Sequence, residues 1–229
     1  MKRILKFSLI GFLAVTLFSC DFNDDDYSLN DRWVGFGIID VGSGSDYTIQ
    51  MDDGSELIPV NSYYNWDEDE DSTRVFVNFT ILDDKLIDDE HEEYYVQVNQ
   101  VQKILFKGIL DITEEIEDSI GNDPVHVESV WTTNNMLTFE LDYYGGYNSG
   151  VVHYINLVKQ PGVPTADDEP IELELRHNDN DDQPSYHMTA LVTFDLSSLK
   201  IAGQDSVNFK VTGKDYDGDV FEHEGTYKY

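Results

Sequence analysis

Arg74-Val75-Phe76-Val77-Asn78-Phe79-Thr80-Ile81 is the stretch that decides the fold class of this chain. Its odd-numbered residues are all apolar, whereas Asn78 and Thr80 interrupt the other face. Hydrophobicity that repeats every two residues is typical of a β-strand with one side buried. We therefore predict a strand here, in an antiparallel sheet whose second face is exposed to water.

The same alternation recurs along the chain. It is found at residues 137–143, 171–176, 188–196 and 207–211. Turn residues separate such runs, and Asp53-Gly54, between residues 47–51 and 56–60, has the sequence of a hairpin turn. Helical character is limited to one short turn within residues 113–119. The pattern predicts an all-β protein.

The strand pattern divides the chain into two units. Residues 31–112 hold roughly five or six predicted strands, which fits a small OB-like β-barrel. Residues 125–229 hold about seven, which fits an antiparallel β-sandwich. The breaker cluster Gly121-Asn122-Asp123-Pro124 indicates that residues 113–124 form a linker.

The first twenty residues have the features of an export signal. Lys2, Arg3 and Lys6 precede an apolar run at 7–18, which is too short to span a membrane as a helix. The tetrad Leu17-Phe18-Ser19-Cys20 resembles the bacterial lipobox. This resemblance implies a signal peptide at 1–19, cleavage before Cys20, a diacylglycerol on the Cys20 sulfur and an acyl group on its new amine.

An acidic run follows Cys20, and residues 20–30 are predicted to form a tether. The sequence from Asp21 to Asp26 resembles the export signal found after the lipid-bearing cysteine in surface lipoproteins of Bacteroidota. An aspartate directly after the cysteine also resembles the inner-membrane retention signal of enterobacterial lipoproteins. The Asn-Asp-Asp-Asp run favours the first, so we expect an outer-membrane lipoprotein, exposed at the cell surface or otherwise on the periplasmic face.

Charge restricts the partners of this protein. The chain carries 46 acidic and 14 basic residues, a formal net charge of −32. Such a charge opposes binding of nucleic acid or anionic lipid through a basic face and favours cations or cationic partners. The densest acidic runs, at 67–71 and 83–93, are interpreted as solvated loops. With Cys20 as the only cysteine, an intrachain disulfide is not possible.

Two groups of aspartates are candidate calcium ligands. Asp215, Asp217 and Asp219 alternate around a glycine, and Asp179 and Asp181 alternate at the end of a predicted strand. Carboxylates in such spacing can converge on a hard cation, although neither group fits the EF-hand loop. The alternative is that aspartate and glycine serve turn geometry alone. No cofactor is required by this sequence; calcium would be shared if both loops lay at one end of the sandwich.

Two aromatic groups, 63–66 and 143–147, are predicted at loops. Exposed aromatic side chains suit contacts with a protein or a glycan, and the alternative is that they plug the ends of the two units. His153 is predicted to be a core or cross-strand residue. The sequence contains no Gly-x-Ser-x-Gly and no His-Glu-x-x-His motif, so we predict a non-enzymatic protein. An envelope glycan hydrolase with paired carboxylates stays open as an alternative.

Several stretches together resemble the NigD-like lipoproteins of Bacteroides and Prevotella relatives. The matching stretches, besides the lipobox, are residues 74–82, 118–124, 130–131, 173–178 and 194–196. The resemblance implies an N-terminal OB-like domain and a C-terminal β-sandwich. The family is named after a bacteriocin-associated gene cluster, so a bacteriocin-linked immunity or secretion role is a second alternative. The main expectation is a lipid-anchored cell-envelope protein that acts as a binding or accessory module for a protein or glycan partner.

Overall fold

The computed structural model describes residues 28–42, 47–61, 63–87, 92–165 and 170–229. The predicted signal peptide, Cys20 and the tether up to residue 27 lie outside the described residues. Within these ranges, every helix is too short or too polar to cross a membrane.

The described residues form fourteen strands and one short α-helix. The elements are β1 (Trp33–Val41), β2 (Tyr47–Met51), β3 (Glu56–Asn61), β4 (Arg74–Leu86), β5 (Glu92–Lys103), β6 (Leu105–Gly108), β7 (Leu110–Asp111), α1 (Glu117–Ile120), β8 (His126–Thr133), β9 (Met136–Gly145), β10 (Tyr154–Lys159), β11 (Ile171–Asn178), β12 (Tyr186–Asp195), β13 (Ser206–Lys214) and β14 (Val220–Lys228). Three single 3-10 turns accompany them, at Glu68–Glu70, Ser197–Leu199 and Tyr216–Gly218. The all-β prediction is confirmed.

The first five strands close into a barrel in the order β1-β2-β3-β5-β4. All neighbours are antiparallel except β3 and β5. The predicted hairpin joins β2 to β3, and Gly54 there has φ 92°, which favours glycine. The alternation that begins at Arg74 is confirmed, because Val75 and Val77 are fully buried in the barrel core. Closure pairs every barrel strand on both sides over part of its length, so no whole strand is an edge strand.

β4 and β5 extend further than the sequence indicates. Residues 83–86 belong to β4 and residues 92–93 to β5, so most of the predicted 83–93 loop pairs as an antiparallel ribbon. Lys85 on β4 lies 3.7 Å from the Glu93 carboxylate on β5. Backbone pairing with a neighbouring strand outweighs the low strand propensity of an acidic run. Residues 88–91, between β4 and β5, lie outside the described residues.

The remaining strands form a sandwich of two sheets, in the orders β14-β13-β11-β10-β7 and β6-β12-β9-β8. Their shared core includes the fully buried residues Leu137, Phe139, Leu141, Phe194 and Phe209. Most neighbours are antiparallel, as predicted. The pairs β11–β13, β10–β7 and β12–β6 are parallel, because the connecting chain crosses between sheets before it returns.

The change from barrel to sandwich lies near Ile104, earlier than the predicted boundary at 112. β6 and β7 pair with sandwich strands, so residues 105–112 belong to the second unit. The predicted linker at 113–124 includes α1, whose Ile120 is buried in a small cluster with Ile112 and Val158. Alternation alone does not specify which sheet a short strand joins, so the sequence did not reveal this transfer.

The two units contact each other through aromatic and polar side chains. The Phe36 ring lies 5.1 Å from that of Phe76 and 5.5 Å from that of Trp131 on β8. The Asn134 side chain, in the β8–β9 turn, donates a hydrogen bond of 3.2 Å to the Asp52 carbonyl oxygen of the barrel. The barrel therefore packs against the β8–β9 turn of the sandwich.

Candidate binding surface at one end of the sandwich

Sheet topology brings several predicted site residues to one end of the sandwich. β11 and β13 run parallel, so the loops that follow Asn178 and Lys214 leave the sheet at the same edge. The aromatic run at 143–147 ends β9 beside the start of β12, where Gly145 pairs with Tyr186. The rings of Tyr144 and Tyr216 lie 5.6 Å apart, which joins these loops. The two aspartate groups do therefore share one end.

Asp179 and Asp181 lie in a turn that their own loop stabilises. An Asp179 carboxylate oxygen accepts a hydrogen bond of 2.9 Å from the Asp181 backbone N–H. The Asp179 N–H in turn donates to the Asp123 carboxylate at 3.0 Å. Asn180 and Asp181 have φ of 52° and 58°, a left-handed conformation that asparagine and aspartate tolerate. In the described structure these two residues have the contacts of a turn.

Asp215, Asp217 and Asp219 form the β13–β14 turn. One Asp215 oxygen accepts from the Tyr216 N–H at 2.6 Å, and the other lies 2.8 Å from the Nδ1 atom of His126. This hydrogen bond raises the pKa of His126. Asp217 has φ 62°, and the Asp219 N–H closes the turn on the Tyr216 carbonyl at 3.2 Å.

The calcium site stays a prediction. Among the described residues, no group of three or more histidine, cysteine or acidic side chains is arranged to hold a metal ion. The five candidate ligands lie at one end of the sandwich, as two separate turns. A shared ion would require the two turns to approach each other.

A chain of buried polar side chains lies beneath these loops. Oδ2 of Asp182 is 3.2 Å from Nε2 of His153, and Nδ1 of His153 is 2.9 Å from Nε2 of His177. Nδ1 of His177 lies 3.1 Å from the Pro124 carbonyl oxygen. The side chains of His153 and Asp182 are each 4% exposed, and His177 is equally buried. The prediction that His153 is a core residue agrees with this burial.

The chain of contacts fixes the number of protons on the two rings. The Pro124 carbonyl can only accept, so His177 Nδ1 carries a proton, and ionised Asp182 can only accept, so His153 Nε2 carries another. The contact between the rings then needs a third proton between them. Two neutral imidazoles carry only two protons in total. A hydrogen bond between the rings therefore requires one proton more than two neutral imidazoles supply.

Burial lowers the pKa of His177, and the hydrogen bond to the Pro124 carbonyl acts in the opposite direction. The Tyr143 ring covers both histidines, at 5.0 Å from His153 and 5.5 Å from His177, and its burial raises the pKa of Tyr143. The two imidazole centroids are 5.1 Å apart and the ring planes differ by 26°, so the rings meet edge to edge through their nitrogens.

Asp182 also fixes the aromatic loop that follows β9. Its carboxylate accepts hydrogen bonds from the Gly146 N–H at 2.6 Å and from the Ser149 hydroxyl at 2.9 Å. The Gly146 bond is the main reason why the pKa of Asp182 is lowered. A Cβ atom on Gly146 would lie 2.6 Å from Asp182, so only glycine lets the carboxylate approach this closely. The buried Asp182 carboxylate thus positions the loop above it.

Four tyrosines, Tyr144, Tyr147, Tyr186 and Tyr216, lie above this network and are called the tyrosine surface here. Tyr147 is 73% exposed and Tyr186 is 54% exposed, and their rings are 5.7 Å apart. Tyr144, 44% exposed, contacts Tyr216 and also His187, whose ring is 5.5 Å away. Exposed tyrosines that brace one another present rigid apolar area with polar tips, as protein interfaces do.

This protein is of the class that combines an OB-type barrel with a following β-sandwich, and the sandwich here ends in an aromatic surface. Two family models match the chain: the NigD-like N-terminal OB domain at residues 38–104 and the NigD-like C-terminal beta sandwich domain at residues 108–227. The chain belongs to the NigD-like family. No curated protein matches it.

Several solved structures have the same fold as this chain. A "putative toxin related protein" of Parabacteroides distasonis is 26% identical, with 86% of this chain and 94% of that chain covered and a TM-score of 0.69. A NigD-like immunity protein of Bacteroides caccae is 18% identical, with coverage of 88% and 99% and a TM-score of 0.66. A "putative lipoprotein" of Bacteroides fragilis is 14% identical, with coverage of 87% and 98% and a TM-score of 0.58. The last two likenesses show the fold alone.

The polar network was not predicted as a unit. His153 and His177 are far apart in sequence and match no spacing motif. They meet because the β10–β11 ladder pairs Ile155 with His177 and Tyr154 with Asn178. His153 directly precedes β10 and therefore lies close to His177 at the end of this ladder. One signal was available in the sequence. His153 precedes one strand and His177 ends the next, and both strands were predicted to lie in the same unit.

Proposed function

We propose that this NigD-like protein is a lipid-anchored, non-catalytic envelope protein that binds a basic protein partner through the tyrosine surface. The observation that carries the proposal is the exposed aromatic cluster, held in place by the buried Asp182–His153–His177 chain. A rigid, partly apolar surface of this kind resembles the centre of a protein interface. The surrounding acidity favours a cationic partner.

The anchor is supported by the sequence before the barrel. The basic leader, the apolar run and the Leu17-Phe18-Ser19-Cys20 tetrad agree with lipidation at Cys20. Several acyl chains on one residue give stable attachment, because each buried methylene contributes about 0.8 kcal/mol. The acidic run after Cys20 supports export to the outer membrane, with the cell surface as the expected location.

The absence of an enzymatic role is part of the proposal. A glycan hydrolase of the paired-carboxylate type needs two acids across a cleft. Among the described residues, Asp182 is the one buried acidic side chain, and its oxygens are occupied by Gly146, Ser149 and His153. This arrangement favours a structural role for Asp182 over acid or base catalysis.

Anchoring and location are tested by replacement of Cys20 and by protease treatment of intact cells. Cys20→Ala is expected to release the protein from the membrane fraction. Loss of the wild-type domain from intact cells, with a periplasmic protein left uncut, would agree with a surface location. Protection until the outer membrane is opened would place the protein in the periplasm and overturn the surface assignment.

Binding is tested by site-specific photo-crosslinking in living cells. A photoreactive residue at Tyr147 is expected to form a discrete protein adduct that decreases as salt is added during the exposure. Tyr63, which is 97% exposed on the barrel, is the matched control and should give none. Equal adducts at both positions, or an adduct with glycan instead of protein, would contradict the proposal.

A bacteriocin-linked role is a second candidate. It is supported by the name of the 26% identical Parabacteroides distasonis protein and by the family to which the chain belongs. An immunity protein would recognise a toxin through the same tyrosine surface. Deletion of the gene should then sensitise cells to a bacteriocin of the same community, and Tyr147→Ala should reproduce that sensitivity.

A further inference from the structure

A second candidate site lies in the barrel, far from the tyrosine surface. A groove of about 330 Å³ opens beside the start of β1. The buried residues Met51, Phe79 and Ile81 contribute its apolar interior, and Trp33, which is 47% exposed, flanks its mouth. The turn residues Asp52, Asp53 and Ser55 line the opposite side. The groove is thus apolar inside and acidic at its rim.

One side of this groove is a short open edge of β1. β1 pairs with β4 from Trp33 onward, whereas its ladder with β2 starts only at Gly37. The N–H of Ile39 donates to Thr73 and its carbonyl accepts from Ser72. The backbone N–H and C=O groups of odd-numbered β1 residues therefore point toward β4. Successive residues of a strand point their backbone groups to alternate sides. The N–H and C=O of Val34 therefore face the groove.

The Phe36 carbonyl supports this assignment. It accepts a hydrogen bond of 3.0 Å from the Asp52 N–H, which lies on the groove side. Val34, two residues earlier, has the same orientation and is 59% exposed. Gly35 leaves space for Met51, since a Cβ atom there would lie 2.5 Å from the Met51 methyl group. The backbone of β1 at Val34 therefore lies beside the apolar lining of the groove.

We propose that this groove binds an extended basic peptide segment of a partner protein, which adds as a short strand beside Val34. Strand addition uses the free backbone groups of an edge, and alternate side chains of the peptide then occupy or leave the groove. An apolar side chain would enter beside Trp33, and the flanking basic side chains would face the acidic rim.

The charge of the barrel selects a basic segment. Residues 31–104, which hold the barrel, contain 18 acidic and 4 basic residues. Asp53 at the rim accepts only local hydrogen bonds from Ser55, at 3.0 and 2.6 Å, and it is exposed to solvent on its other side. A lysine or arginine of the peptide gains favourable charge there, and an acidic segment is repelled. This site is independent of the tyrosine surface, so either proposal can fail alone.

The experiment is a titration of the protein with a capped peptide of alternating lysine and valine, and the backbone amide resonances are followed by NMR. We expect resonance changes at Val34 and Trp33 and slower hydrogen exchange of the Val34 amide in the complex. Val34→Pro removes the donor N–H at a position that an edge strand tolerates, and should weaken binding about tenfold. Val34→Ala keeps the N–H and is the matched control, with binding close to wild type.

Several outcomes would overturn the proposal. Equal affinity of Val34→Pro and Val34→Ala would show that no strand is added. Equal binding of a glutamate–valine peptide would show that charge does not select the ligand. Concentration-dependent self-association without peptide, with changes at Val34, would assign the groove to a second copy. If Val34→Pro fails to fold, unchanged exchange of the wild-type Val34 amide on saturation would equally rule out strand addition.

Discussion

Replacement of Asp52 by alanine is expected to destabilise the barrel by about 3–5 kcal/mol. The Arg74 side chain is completely buried, whereas that of Asp52 is 17% exposed. Two guanidinium nitrogens of Arg74 bond the Asp52 carboxylate, with Nη2 at 2.6 Å from Oδ2, and Nε is buried without a hydrogen-bond partner. Without Asp52 the barrel would hold a buried cation that has no counter-charge, and this cost sets the magnitude.

The reverse replacement should cost less. Arg74→Met leaves Asp52, whose partial exposure lets water hydrate the carboxylate, so we expect a loss of about 1–2 kcal/mol. The double variant should be more stable than the sum of the single losses implies, with a coupling energy of about 2 kcal/mol, because an apolar pair leaves no isolated charge. The order of the two single variants therefore follows from their unequal burial.

The assay is urea unfolding followed by tryptophan fluorescence. Trp66 is buried in the barrel core and packs 6.0 Å from the Tyr47 ring, so it reports on this unit. Asp40→Ala, which removes an exposed carboxylate from β1, is the matched control and should change the free energy of unfolding by less than about 0.5 kcal/mol. The reasoning would be refuted if Asp52→Ala lowered the free energy of unfolding no more than Arg74→Met or the control does.

Three further predictions concern the sandwich. The free energy of unfolding should fall as pH drops below 6.5, because burial lowers the pKa of His177 and hydrogen bonds lower that of Asp182. The unfolded chain then binds more protons than the folded protein does. Urea unfolding at a series of pH values from 8 to 4 measures this, and a free energy that does not change below pH 6.5 would contradict it. Gly146→Ala should cost about 1–3 kcal/mol, because its Cβ would lie 2.6 Å from Asp182, whereas Gly108→Ala, with open space around it, should cost less than about 1 kcal/mol in the same assay. Calcium, if the two aspartate turns bind it, should raise the melting temperature of the wild type and not of Asp217→Asn; a melting temperature indifferent to calcium and chelator would remove that site.

The acid dependence has one opposing contribution. The hydrogen bond with Asp215 raises the pKa of His126, so the stability that it adds is fully present below pH 6.5 and is lost as pH rises through the folded pKa. His126 is exposed, and solvent screens this interaction. The buried groups should therefore determine the net slope, and His126→Gln should remove only the loss on the alkaline side.

The all-β architecture could be predicted because alternation is local. Val75 and Val77 are buried as the period-two pattern requires, and the Asp53-Gly54 turn has the conformation that its glycine suggests. Membership of a sheet is not local. β6 and β7 are short strands next to the barrel in sequence, and they pair with β12 and β10, whose positions depend on the whole sandwich.

The candidate site shows the same limit at the level of single residues. Residues 143–147 were predicted at a loop, yet neither Gly145 nor Gly146 has the positive φ that often explains a loop glycine. Their small size instead lets Asp182 and His153 approach the backbone, since a Cβ on Gly145 would lie 2.9 Å from Asp182 and 3.1 Å from His153. When a glycine is required because a carboxylate far away in the sequence packs against it, the residues next to the glycine in the sequence do not reveal that requirement.

The two candidate sites lie at opposite ends of the sandwich, because the groove residues Phe36 and Asp52 contact Trp131 and Asn134 at its β8–β9 end. β9 runs from Met136, next to the turn whose Asn134 contacts the barrel, to Gly145 at the tyrosine surface, and a strand of this length spans about 30 Å. The chain enters the barrel at β1, so a lipid on Cys20 would hold the groove within about 45 Å of the membrane, the reach of an extended tether. A partner bound at the tyrosine surface would leave the groove free, and both sites could be occupied at once.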